Sequence, residues 1–297
     1  MPGQTWPASN LQADRLRVHL LVNLFRPDAV TAARQVVKLL TSRGATAFAD
    51  HESAKEVGVE SVIPEAFGDA DLVIAIGGDG TLIRAAYLVG PRCTPIMGIH
   101  YGRFGFVTQV EPEQAKSSII EFLEGRSRIE KRMMVKTELV RGEEIVAELH
   151  ALNETVVQRS AVTRMLTFDV HVDGSQVSRY PADGVMVATP TGSTAYNLSA
   201  GGPVVDPRME ALILTAIMPH TLSSRPLVLR ADSVIKIKVE SREESVLSAD
   251  GHSRLHLLSG DYVRITKSDR VACLVTTEAG DFFGKLSDRL QWSQGSI

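Results

Sequence analysis

The chain has 297 residues, 44% hydrophobic and 23% charged, which is enough for two domains with sizeable cores. Its formal charge of -3, from 32 Lys and Arg against 35 Asp and Glu, offers no basic surface for nucleic acid or an anionic membrane, so any bound phosphate must be held locally. The two cysteines, Cys93 and Cys273, share no metal-ligand spacing; they predict neither a disulfide framework nor a zinc site, and fit a reducing cytoplasm.

Residues 1–10 lack the basic and apolar stretches of a secretory signal and read as a loose tail. No apolar run approaches the roughly 20 residues of a membrane span, so a soluble protein is expected. Residues 18–24 read as a strand, 27–42 as a helix opened by Pro27 and closed by Gly44, and 71–76 as a second strand, an order that predicts a βαβ sheet. A helix to about residue 89, a buried strand at 94–99 and a helix at 112–125 follow. From about residue 129 the pattern becomes strand-like: 133–140, 144–157, 167–172, 185–189, 234–239 and 262–266, with turns at Asp173-Gly174, Asp183-Gly184, Asp250-Gly251 and Ser259-Gly260. Helical spacing returns over 282–292, a tail expected to pack on the first domain. The expected fold is an α/β, Rossmann-like N-terminal domain at 1–127, joined by 275–297, with a β-rich, sandwich-like domain at 128–274.

The strand at 71–76 runs straight into Gly77-Gly78-Asp79-Gly80-Thr81 and a helix, which puts a glycine turn at the carboxyl end of a central strand, where open α/β sheets bind ligands. Glycines let backbone approach a ligand, and a helix N-terminus offers N–H groups to phosphate. A plain strand-to-helix turn capped by Thr81 is the structural alternative. Asp79 argues for chemistry, because a carboxylate in a phosphate cradle repels its ligand unless it holds a metal or accepts a proton. Ile83 stands where a dinucleotide fingerprint would have its last glycine, and no P-loop lysine follows.

A second cluster runs from Asp183 to Pro203, where a strand ends at Thr189-Pro190 and Thr191-Gly192-Ser193-Thr194-Ala195-Tyr196-Asn197-Leu198-Ser199 supplies hydroxyls beside flexible backbone, as a nucleotide pocket requires. Tyr196 is placed to flank a base. A surface loop capped by Ser193 or Thr194 is the alternative. Asn153-Glu154 sets two polar residues inside an apolar run; a ribose hydroxyl pair or neighbouring backbone would satisfy them. Arg84, one turn beyond Asp79, either neutralises a donor phosphate or sits on a solvated helix face.

In this order the motifs resemble the NAD kinase family over most of the chain. The likeness rests on Gly77 to Thr81, Gly98-Ile99-His100 with Gly102-Arg103-Phe104-Gly105-Phe106, Leu152-Asn153-Glu154, Asp183-Gly184, Thr189 to Tyr196, Pro219 to Leu222 with Arg225 to Leu229, and Asp250-Gly251. The Gly77 turn alone is shared with lipid kinases and phosphofructokinases; the Thr191 to Tyr196 run is far more specific. Departures from the family pattern are His100, Phe104, Ala216 and His252.

The resemblance implies a kinase that phosphorylates the 2′-hydroxyl of the adenosine ribose of NAD to give NADP. Asp79 would be the general base, with Gly80 and Thr81 beside it. Asn153 and Glu154 would hold NAD hydroxyls. Thr191, Thr194, Ala195, Tyr196, Asn197, Leu198 and Ser199 would line the adenine and phosphate region, and Asp183 the nicotinamide end. Arg84, Arg164 and His252 are further binding candidates. The implied donor is ATP or polyphosphate with a divalent cation, Mg²⁺, bridging phosphates rather than held in a protein cage. A cytoplasmic homodimer or homotetramer with no nucleic-acid or membrane partner is expected. A lipid or sugar kinase sharing the glycine turn and a non-catalytic NAD sensor are the competing readings; the polar 191–199 loop argues against the first and Asp79 against the second.

Overall fold

The computed structural model describes residues 16–102, 105–108, 110–160, 165–221, 223–239, 244–276 and 282–290. Packing divides the chain into two compact units, residues 1–131 with 272–297 and residues 132–271.

In the first unit β1 (Arg17–Val22), β2 (Thr46–Ala49), β3 (Glu60–Ser61), β4 (Leu72–Gly77) and β5 (Pro95–His100) pair in parallel in the order β3-β2-β1-β4-β5. A parallel sheet has both faces covered, so its central strands read as unbroken apolar runs; every residue of β4 and β5 is buried. Helix α1 (Pro27–Ser42) takes Pro27 in its first turn and buries Ala29, Ala32, Ala33, Val36 and Leu40, the stripe expected of a 3.6-residue period. Helix α2 (His51–Val57) starts where the Asp50 side chain accepts from Ser53 N and ends at Gly58 in the left-handed region. Neither α2 nor its flanking strands β2 and β3 was among the elements expected between residues 42 and 71, because their stretches are too short to show a period. Helix α3 (Asp79–Val89) follows β4 directly, and α4 (Ala115–Leu123) follows a short 3₁₀ turn at Pro112–Gln114.

The second unit is built from β6 (Arg128–Arg141), which enters it from the first, β7 (Glu144–Ala151), β8 (Glu154–Arg159), β9 (Leu166–Val172), β10 (Ser175–Ala182), β11 (Gly184–Ala188), the one-turn helix α5 (Tyr196–Ser199), β12 (Ala211–Ile217), β13 (Leu227–Arg230), β14 (Ile235–Val239), β15 (Ser245–Ala249), β16 (Ser253–Leu257) and the first part of β17 (Tyr262–Thr276). One antiparallel sheet runs β13-β12-β11-β8-β15-β16. The other aligns β10-β9-β14-β17, with the β6-β7 hairpin joined through β6. Val157, Val185, Leu212 and Leu247 of the first interleave with Phe168, Val170, Ile237 and Val263 of the second in one core, which makes the unit a sandwich. The single strand expected at 144–157 is two, broken at Leu152-Asn153.

From Ala272 onward β17 belongs to the first unit, where Cys273 and Leu274 lie parallel to Pro95 and Ile96 of β5. Helix α6 (Phe282–Arg289) follows, with Leu286 buried. The expectation of two unpaired cysteines is corrected here. Cys93 and Cys273 are joined in a disulfide, Cα to Cα 5.3 Å, across a sequence separation of 180. Only the pairing of β17 with β5 brings them together, and no spacing rule in the sequence reports it.

Candidate active site

In the first unit β4 delivers the chain to Gly77, where a side chain would collide with Thr81 and Asn23, so only glycine permits the turn. Gly78 then caps α3 with no side-chain bond, and Thr81 N donates to Gly78 O at 3.0 Å; Thr81 is therefore not the cap. Open space lies beside Gly78 and Gly80 at a helix start, the end of a helix that carries partial positive charge. A cleft of about 260 Å³ opens there, lined by Asn23, Phe25, Asp50, Gly80, Thr81 and Arg84 among others. Arg84 is half exposed and ion-paired to Asp50 Oδ2 at 3.3 Å, so its guanidinium lies on this cleft with a carboxylate for company.

Asp79 is half-buried and turned onto the segment after β5. Its Oδ2 accepts from Phe106 N at 2.6 Å and its Oδ1 from Thr108 N at 2.9 Å and Thr108 Oγ1 at 3.0 Å, while Val107 N lies 3.2 Å from both oxygens. A side chain at Gly105 would collide with this carboxylate. The sequence shows the Gly-Phe motif but not that its backbone amides are aimed at Asp79. His100 continues the network, with Nδ1 3.1 Å from Thr108 Oγ1 and Nε2 3.2 Å from Gly102 O.

In the second unit the break between β7 and β8 is made by Asp250, which sits at positive φ in the turn between β15 and β16. Its carboxylate accepts from the N–H groups of Leu152 at 2.7 Å, Asn153 at 2.8 Å and Glu154 at 3.1 Å. With the backbone held this way, the side chains of Asn153 and Glu154 are buried, yet among the described residues Asn153 Oδ1 and Glu154 Oε2 have no hydrogen-bond partner, and neither does Thr191 Oγ1. Burial first, then the negative Asp250, raises the Glu154 carboxyl to about 8, against a smaller pull downward from Tyr196 N–H. Burial also raises Asp250, opposed by its three backbone donors and by His252.

The 191–199 loop closes on the same spot. Thr189 Oγ1 donates to Leu152 O at 2.5 Å and accepts from Gly192 N at 3.1 Å, and a side chain at Gly192 would collide with the backbone of Asn153. Asn197 is a scaffold of this loop rather than part of its open surface. Fully buried, it donates to Ser193 O at 3.2 Å and Pro203 O at 3.1 Å and accepts from Thr215 Oγ1 at 2.8 Å. Thr194 Oγ1 points back to Thr191 O at 3.4 Å. Tyr196, 41% exposed, and Ser199 face outward, with Ala195 and Leu198 partly covered. His252 is exposed and bonds its own turn, Nδ1 to Asp250 O at 2.7 Å. Asp183 stands apart, just before β11 at the end opposite Ala188, roughly 17 Å along the strand, and is ion-paired to Arg159 at 3.0 Å. Arg164 and the Arg103-Phe104 pair lie outside the described residues. The sequence reading missed the roles of Asp250, Thr189 and Arg159. The Asp-Gly turn was the available signal for the first, and none existed for the others.

Helix-start amides beside an anchored carboxylate suit phosphoryl transfer, and unpartnered acceptors beside an outward tyrosine suit a nucleoside. The class these features define is a nucleotide-dependent phosphotransferase. The family profile described as the ATP-NAD kinase N-terminal domain matches residues 18–127, and the ATP-NAD kinase C-terminal domain matches 152–277. An NAD kinase of Symbiobacterium thermophilum is 40% identical over 275 residues, spanning 91% of this chain and 97% of that protein. One of Citrifermentans bemidjiense is 38% identical over 286 residues, 94% and 99% of the two chains. Among solved structures, an NAD kinase from Archaeoglobus fulgidus in complex with ATP superposes with a TM-score of 0.74 at 27% identity, covering 92% of this chain and 98% of that one. Yeast NADH kinase complexed with NADH gives 0.88 at 24% identity, covering 95% and 89%, a likeness of fold. The chain belongs to the NAD kinase family.

Proposed function

We propose that this chain transfers the terminal phosphoryl group of ATP to the 2′-hydroxyl of the adenosine ribose of NAD, giving NADP. The observation that carries the reading is the trio of buried atoms Asn153 Oδ1, Glu154 Oε2 and Thr191 Oγ1, which have no partner among the described residues. Each costs about 1–3 kcal/mol if left unmet, and ribose hydroxyls meet all three. With its carboxyl raised to about 8, Glu154 carries a proton at neutral pH and can both donate to and accept from a hydroxyl. Tyr196 flanks the adenine, while Thr194, Ala195, Leu198 and Ser199 shape the loop around it on the frame that Asn197 supports. Asp183 and Arg159 serve the nicotinamide end, and Arg164 and His252 are further contacts.

Asp79 takes the proton of the 2′-hydroxyl as its oxygen attacks the terminal phosphorus and ADP leaves, a reaction that needs positioning and charge neutralisation more than covalent help. Gly80, Thr81 and the α3 start receive phosphate oxygens, and Arg84 exchanges part of its bond to Asp50 for them. Among the described residues no three His, Cys, Asp or Glu side chains converge as a metal cage. A divalent cation, Mg²⁺, would accompany the donor phosphates and supply positive charge there.

Purified protein incubated with NAD, Mg²⁺ and either ATP or polyphosphate should form NADP, read by a coupled dehydrogenase; no product with any donor would sink the proposal. Asp79→Asn should retain NAD binding and lose about two to four orders of magnitude in turnover. The active form is proposed to be a homodimer or homotetramer, which light scattering after size exclusion measures. We also place it in the cytoplasm, where the Cys93–Cys273 pair would be held reduced. Cells lysed directly into denaturant with an alkylating reagent should then yield both cysteines modified, and sulfurs that react only after reduction would move the protein to an oxidising compartment. Among the described residues no helix is long and apolar enough to cross a membrane.

A further inference from the structure

We infer that Thr108 is a positioning residue that fills Oδ1 of Asp79 and leaves Oδ2 as the atom that takes the substrate proton. This rests on the reading of Asp79 as the base. A carboxylate offers about four lone-pair sites, two on each oxygen. Among the described residues, Oδ1 accepts two full bonds, from Thr108 N at 2.9 Å and Thr108 Oγ1 at 3.0 Å, plus one share of Val107 N. Oδ2 accepts one full bond, from Phe106 N at 2.6 Å, and the other share of Val107 N. The spare accepting capacity is on Oδ2.

The hydroxyl of Thr108 has a single proton, and its bond to Asp79 uses it. His100 Nε2 lies 3.2 Å from Gly102 O, a carbonyl that only accepts, so Nε2 is the donor there and Nδ1, 3.1 Å from the hydroxyl oxygen, competes as an acceptor for that proton; the charged carboxylate is the stronger acceptor. The framework for this chain of bonds is rigid. His100 ends β5 directly across from Gly77 at the end of β4, so the strand that carries the imidazole is paired with the one that leads into Asp79. Its other nitrogen is tied to Gly102 O at 3.2 Å, and the missing side chain at Gly105 lets the segment lie against the carboxylate.

The test measures kcat and KM for NADP formation, with melting temperature, in the wild type, Asp79→Asn, Thr108→Val and Thr108→Ser. Thr108→Val should lower kcat about tenfold, the worth of one bond to a charged group, with both KM values within about twofold of wild type. Thr108→Ser should restore most of the loss. The inference is overturned if Thr108→Val turns over like the wild type while Asp79→Asn is inactive. It is overturned equally if Thr108→Ser falls as far as Thr108→Val, since the hydroxyl is then not what matters. Full turnover in Asp79→Asn would instead remove the base assignment itself, and this inference with it.

Discussion

Burial and the charge of Asp250 raise the Glu154 carboxyl to about 8 from an ordinary 4.5. A folded-state value above the unfolded one means that the native chain keeps a proton which the unfolded chain releases, so stability falls as pH rises between about 4.5 and 8 and levels off above. Glu154→Gln keeps the neutral shape and removes that slope. Thermal unfolding of ligand-free protein should show the variant and wild type nearly matched at pH 5, with the variant the more stable at pH 9 by at most a few kcal/mol. Parallel curves across the range would mean that the group is not buried as described. The sequence marks Asn153-Glu154 as polar intruders in an apolar run, and that much was legible. Whether backbone or ligand meets them depends on Asp250, 96 residues beyond Glu154, whose carboxylate takes the local amides and leaves Asn153 Oδ1 and Glu154 Oε2 without a partner among the described residues.

The loop after β11 is held by contacts that a side chain on Gly192 would destroy, since its nearest neighbours are backbone atoms of Asn153 and cannot step aside. Gly192→Ala should cost about 1–3 kcal/mol in stability, as overpacking does, and weaken NAD binding by calorimetry more than tenfold, a loss of about 1.4 kcal/mol or more. Wild-type affinity would separate the loop from the site. At this scale legibility follows the length of the apolar period. Helix α1 was expected at Pro27 to Ser42 and is found there, because sixteen residues show four turns of the same buried face. Strands β2 and β3, of four and two residues, show none. Helix α2, seven residues long, announces itself only by the Asp50 cap and Gly58. The strand expected at 144–157 was read through Asn153 because nothing local breaks it; the break comes from a distant turn.

Across the molecule, the change from βα alternation to a strand-rich pattern near residue 129 is a statement about composition and period, which is why an α/β unit followed by a sandwich could be read from sequence. Pairings between distant strands could not. The clearest case is β17, whose last residues lie beside β5 and bring Cys273 to Cys93. That bond closes a loop of sequence separation 180 and ties residues after 271 to the rest of the first unit. In the chain-entropy account, closing a loop of this length removes about 5 kcal/mol of freedom from the unfolded chain, the upper end of what disulfides deliver. Purified, oxidised protein should therefore melt several degrees higher than the same protein in reductant, and Cys93→Ser and Cys273→Ser should each reproduce the reduced value without adding to one another. A denatured, unreduced sample should yield no titratable thiol. Two thiols in that sample, or identical melting with and without reductant, would show that the strands pair but the sulfurs do not.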